Sequence, residues 1–221
     1  MERDVDIKEI SDGRLYSNND MVKADCQDCV GCSACCQGMG ESITLDPLDV
    51  FRLMKRLGCS FEALVQRHLE LSVVDGMILP NLKMDEKSEK CTFLDENGRC
   101  SIHADRPGIC RVFPLGRLYE NRSFRYFLQI HECKKNNRVK IKVRKWIDTP
   151  NVKEYESFVN EWHYFLKDLT ELVAAEGDEA QQRMVSMYVL KQFYQNLYDL
   201  NADFYPQFEK RMRESKALFG I

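Results

Sequence analysis

Cys29-Val-Gly-Cys32-Ser-Ala-Cys35-Cys36 places four thiols in eight residues, and Cys26-Gln-Asp stands directly before it. A soft metal needs several thiolates within about 2.3 Å of one point, so ligands tend to arrive in closely spaced groups. Gly31, Gly38 and Gly40 permit the tight turns a chain makes when it wraps an ion. Four further cysteines follow at Cys91, Cys100, Cys110 and Cys133. The chain holds ten cysteines in 221 residues, five of them between Cys26 and Cys36. A disulfide framework would call for an oxidising compartment and a smaller domain, and incidental buried thiols would be scattered rather than clustered. Metal binding is the reading that remains.

Outward from this loop the pattern is α+β. Residues 1–25 are polar and read as an irregular lead-in, followed by a cysteine-cluster domain over 26–148 and a helical segment over 149–221. Asp46-Pro47 opens a helix, with Asp as N-cap and Pro at the first helical position, and Gly58 ends it. Ser60 caps a second helix whose apolar residues are Phe61, Leu64, Val65 and Leu69, flanked by Glu62 and Glu70. Val73 to Met84 reads as extended with a turn at Asp75-Gly76. Two hairpins are expected next. One joins Thr92-Phe-Leu to Ser101-Ile-His across Asn97-Gly98, and the other joins Val112–Tyr119 to Ser123–Ile130. Past Thr149-Pro150 the apolar residues Phe158, Trp162, Phe165, Leu169 and Leu172 recur at helical spacing. A break at Gly177 precedes a second stripe of Met187, Leu190, Tyr194 and Leu197, and Asp203–Phe219 reads as a third helix. These stripes read as scaffold.

The identity of the metal stays open at this level. Cys26-x₂-Cys29-x₂-Cys32-x₃-Cys36 has the spacing of a bacterial ferredoxin run, but Gln37 stands where the following proline would be. Zinc sites favour two CxxC knuckles, and here the second knuckle is absent. The net charge of −3 gives no general attraction to nucleic acid or acidic membranes, and no stretch has the 18 or more apolar residues of a span. The start, Met1-Glu-Arg-Asp-Val-Asp, lacks the apolar core of a secretory signal, so a cytoplasmic, thiol-reducing setting is expected. Thiolate ligands would make the charge more negative, so cations are expected beside them. Arg106 and Arg111 flank Cys110 and are candidates for offsetting that charge or binding an anionic cofactor or substrate group. His103 and His131 are secondary ligand candidates, and Cys59 reads as an isolated buried thiol.

Taken in order, Cys29-Val-Gly-Cys32-Ser-Ala-Cys35-Cys36, Cys91-Thr-Phe-Leu-Asp-Glu-Asn-Gly-Arg-Cys100-Ser-Ile-His, Arg106-Pro107-Gly-Ile-Cys110-Arg111-Val-Phe113-Pro114 and Cys133 form a specific set. Over roughly residues 26–135 the chain resembles the YkgJ-type cysteine-cluster family, described as zinc- or iron-chelating CxxCxxCC domains. The resemblance implies eight ligands: Cys29, Cys32, Cys35, Cys36, Cys91, Cys100, Cys110 and Cys133. A related cysteine-cluster region occurs in flagellin lysine N-methylases, which are similar in using an iron–sulfur cluster with S-adenosylmethionine. That likeness implies a protein-modifying enzyme as an alternative to a metal-binding protein, with another protein as partner. No adenosylmethionine loop is recognisable here, and Cys26 lies outside the family pattern. A third reading is phosphate or nucleic-acid binding through Lys134–Lys145, where seven of twelve residues are basic. Val139, Ile141 and Val143 alternate there with Lys140, Lys142 and Arg144, and a lysine-protected edge strand accounts for the same pattern.

Overall fold

The computed structural model describes residues 6–27, 29–135, 137–176 and 179–221. The elements in chain order are α1 (Ile7–Ile10), β1 (Ser11–Tyr16), β2 (Met21–Asp25), α2 (Pro47–Leu57), α3 (Phe61–Arg67), β3 (Leu69–Val74) and β4 (Met77–Leu82). They continue with α4 (Gly108–Val112), β5 (Leu115–Glu120), β6 (Ser123–Gln129), β7 (Val139–Lys142), α5 (Val143–Ile147), α6 (Val152–Glu176), α7 (Glu179–Leu190) and α8 (Phe204–Phe219). Small antiparallel sheets combine with a helical C-terminal part, so the fold class is α+β. Among the described residues no helix is long and apolar enough to cross a membrane.

The chain forms two units, each discontinuous in sequence. One joins the described residues up to Gly40 with Met84–Asn160. Its three-stranded sheet has the order β1-β6-β5, and β2 pairs separately with β7. The β5–β6 hairpin turns through Asn121 and Arg122, both at positive φ (51° and 58°), the handedness that suits twisted strands. Gly116 on β5 lies flat against Phe127 of β6, and a Cβ there would run into the ring. The buried Tyr126 donates its hydroxyl to Glu156 Oε1 at 3.0 Å, while Asn18 donates to the other oxygen of Glu156 at 2.6 Å.

The other unit joins Glu41–Lys83 with Glu161–Ile221. Its α2 starts in a reciprocal capping box. Asp46 accepts from the Asp49 amide, Asp49 accepts from the Asp46 amide, and Pro47 fills the first turn. Gly58 closes α2 in the left-handed region, as the sequence predicts, and Ser60 caps α3. Trp162 packs against Phe193 at 4.9 Å between ring centroids and also contacts Phe165, Tyr194 and Phe208. The fully buried Tyr194 donates to the Leu45 carbonyl at 2.9 Å.

Several local expectations need correction. Residues 7–25, expected to be irregular, form a helical turn and two strands, because long-range pairing with β6 and β7 satisfies their backbone. Leu69 and Glu70, assigned to the second helix, belong to β3, since α3 ends at Arg67. Val112 lies in α4 rather than in the second hairpin, and Val143 starts α5. The segment around Asn97-Gly98 makes no regular hairpin. A single bridge links Leu94 to Cys100, and the Asp95 side chain accepts from the Asn97 and Arg99 amides, closing a tight turn. On α6 the stripe Phe158, Trp162, Phe165 and Leu169 is buried, but Val173 rather than Leu172 continues it. In the second stripe Leu190 and Tyr194 are buried, whereas Met187 and Leu197 are exposed. A π turn at Lys191–Gln195 shifts the helical phase there. The break expected at Gly177 lies outside the described residues.

Candidate metal centre

All eight cysteines of the predicted ligand set, together with Cys26, belong to the unit that contains β1, β2 and β5–β7. The loop after β2 advances by consecutive tight turns. The Cys32 amide bonds to the Cys29 carbonyl at 3.0 Å, and the Cys36 amide to the Ser33 carbonyl at 2.9 Å. Cys29 itself takes a positive φ of 59°, and Gly31 follows at 67°. Ala34–Cys36 form one 3₁₀ turn. The loop is then stitched to a distant segment: the Cys91 amide donates to the Cys36 carbonyl at 2.8 Å, and the Gly38 amide to the Glu89 carbonyl at 2.8 Å. Cys100 follows across the bridge to Leu94. On the other side, Lys135 Nζ donates to the Val30 carbonyl at 2.9 Å, which ties the segment after Cys133 to the first loop.

These backbone ties bring the thiols into two neighbouring groups. Cys26, Cys29, Cys32, Cys35 and Cys133 line one pocket, walled by Phe113, Pro114 and Trp146 and edged by Glu132, Lys134 and Lys135. The Sγ atoms of Cys26 and Cys29 stand 3.5 Å apart. The second group is Cys35, Cys36, Cys91 and Cys100, in which Cys35 and Cys36 share a hydrogen bond and Cys35 acts on both Cys91 and Cys100. Cys110 is half-buried on α4 and is not among the residues lining the pocket. Cys59, half-buried, lies in the other unit, and its thiol is pushed up by burial.

The electrostatics follow from this crowding. Burial, then the hydrogen bond and charge of Cys26, then the charge of Cys35 push the Cys29 thiol up to about 12. The hydrogen bond with Cys36, then burial, hold Cys35 far above the ordinary thiol range. Burial raises Cys91, Cys100 and Cys133, with Cys26 and Cys32 adding to the effect on Cys133. Arg106 pulls Cys29, Cys35 and Cys100 the other way. Its Nη1 donates to the His103 carbonyl at 2.9 Å and lies 3.1 Å from His103 Nδ1. Arg111 is only 5% exposed and directs its guanidinium at three backbone carbonyls: Arg106 at 3.0 Å, Asp148 at 2.9 Å, and Ala104. His131 is exposed.

Residues 28–149 match the family described as the CxxCxxCC putative zinc- or iron-chelating domain. The chain belongs to that family. Searches of curated proteins and of solved structures each returned no match. Among the described residues no three His, Cys, Asp or Glu side chains converge closely enough to hold an ion as they stand. The family's donor chemistry nevertheless fits this site. Crowded thiols that oppose one another's ionisation are the groups a divalent cation stabilises as thiolates, and ligation requires them to turn toward a common point. Sequence reasoning set Cys26 in a ferredoxin-like run but left it out of the ligand set, because the family pattern begins after it. Its C-x₂-C interval to Cys29 was the available signal.

Proposed function

We propose that this protein binds zinc or an iron–sulfur cluster through thiolates drawn from Cys29, Cys32, Cys35, Cys36, Cys91, Cys100, Cys110 and Cys133. The observation that supports this reading best is the gathering of thiols from three separate segments, each raising the ionisation cost of another. A bound centre would supply the positive charge that turns this repulsion into cohesion. Among its described residues the loop over 26–40 contains a single 3₁₀ turn, and a centre there would reinforce its ties to the turn at 91–100 and to the segment around Cys133. Arg106 offsets the excess thiolate charge, and Arg111 holds the frame of the 104–106 segment on which Arg106 stands. So many reduced thiols suit a reducing, cytoplasmic compartment.

Anaerobic purification tests this, with the visible spectrum recorded and iron, zinc and sulfide counted per chain. A brown protein with about equal iron and sulfide identifies an iron–sulfur cluster. A colourless protein carrying zinc identifies a thiolate zinc site. Protein that carries neither metal and takes up neither on reconstitution removes the proposal.

A further inference from the structure

We infer that Cys26, which precedes the matched family region, is a ninth thiolate of the site and completes a four-thiol centre with Cys29, Cys32 and Cys133. This inference rests on the metal-binding reading above.

Three observations carry it. First, Cys26 is placed at the site by secondary structure that needs no metal. It follows directly on β2, and the Asp25–Val139 pairing of β2 with β7 brings it beside the segment that follows Cys133. Second, its side chain lines the pocket with Cys29, Cys32, Cys35 and Cys133, and its Sγ is 3.5 Å from that of Cys29. Third, backbone and thiol contacts draw Cys35, Cys36, Cys91 and Cys100 into a group of their own. Cys36 is tied to Cys91 at 2.8 Å, Cys100 follows through the bridge to Leu94, and Cys35 is bonded to Cys36. Five thiols line the pocket, and with Cys35 committed to Cys36 the other four, Cys26, Cys29, Cys32 and Cys133, make up the number that a closed tetrahedral zinc site takes. Cys26 stands at the same interval before Cys29 as Cys29 stands before Cys32, so one loop presents all three.

The test is cadmium NMR on the full-length protein reconstituted with cadmium alone, reading three-bond couplings between the metal and cysteine Hβ protons. One cadmium signal coupled to Cys26, Cys29, Cys32 and Cys133 is the expected result. Coupling to Cys29 without coupling to Cys26 overturns the inference and leaves the metal-binding reading intact. Protein that takes up no cadmium overturns both. Titration of Cys26→Ser with cadmium gives a second readout. Its affinity should fall by more than the roughly 10–100-fold that loss of an outer-sphere partner brings. A Cys59→Ser control should match the wild type, and wild-type affinity in Cys26→Ser overturns the inference.

Discussion

Burial, with neighbouring thiols adding to it, holds several of the cysteines back from ionising, and two pH effects of opposite sign follow. In the metal-free protein the folded Cys29 thiol is raised to about 12, so the unfolded chain ionises first as pH rises through the ordinary thiol range. That part of the fold's stability is present below this range and is lost as pH climbs toward 12. Metal uptake runs the other way. The ligands bind as thiolates, so protons must leave, and affinity should weaken as pH falls. Calorimetry of zinc binding in buffers of different ionisation enthalpy should show more than one proton released per ion, and binding without proton release would contradict the site. The two arginines, equivalent on sequence, divide by environment. Arg111→Ala should destabilise the cysteine unit by roughly 2–4 kcal/mol in urea unfolding, because three carbonyls lose a charged donor. Arg111→Lys should recover little of it, since a single ammonium cannot reproduce the fork. A wild-type midpoint in Arg111→Ala would show that these bonds do not hold the loop.

At the scale of elements, local chemistry and long-range pairing account for what could be read early. The ends of α2 and α8 were legible because caps act within one turn: Asp46 with Pro47, Gly58, and Asp203. The β5–β6 hairpin was legible from two runs separated by a short polar turn, read as Glu120–Arg122, and the pairing of Glu120 with Ser123 tightens that turn to two residues. The strands β1 and β2 were not, because they are short and their partners lie more than a hundred residues away. Two substitutions probe this level. Gly116→Ala should destabilise the cysteine unit by about 1–3 kcal/mol through collision with Phe127, visible as a lowered thermal midpoint. Asp46→Ala should remove the N-cap of α2 for about 1 kcal/mol, and metal content should be unchanged because the site lies in the other unit. Loss of bound metal in Asp46→Ala would show the site depends on α2.

At the scale of the whole molecule, chelation should act unevenly. Hydrogen exchange after metal removal should show protection lost over residues 26–40, 84–100 and 133–135 and retained in the helices between residues 161 and 219. Uniform loss would mean that the metal stabilises both units together, and no loss would remove the structural role of the centre. Sequence alone determined the clustering of the cysteines, the family and the α+β class, because closely spaced thiols and helix caps act over a few residues. It also left Asn97-Gly98 looking like a regular hairpin, where the side chain of Asp95 closes a tighter turn. The partition of the thiols was decided only by tertiary structure. Cys91 reaches Cys36, and Cys133 reaches Cys26 and Cys32, through pairings between segments about 50 to 110 residues apart. Spacing along the chain carries no information about such closures, because many loop conformations of similar entropy connect the same cysteines, and it is the burial of the surrounding strands that selects one.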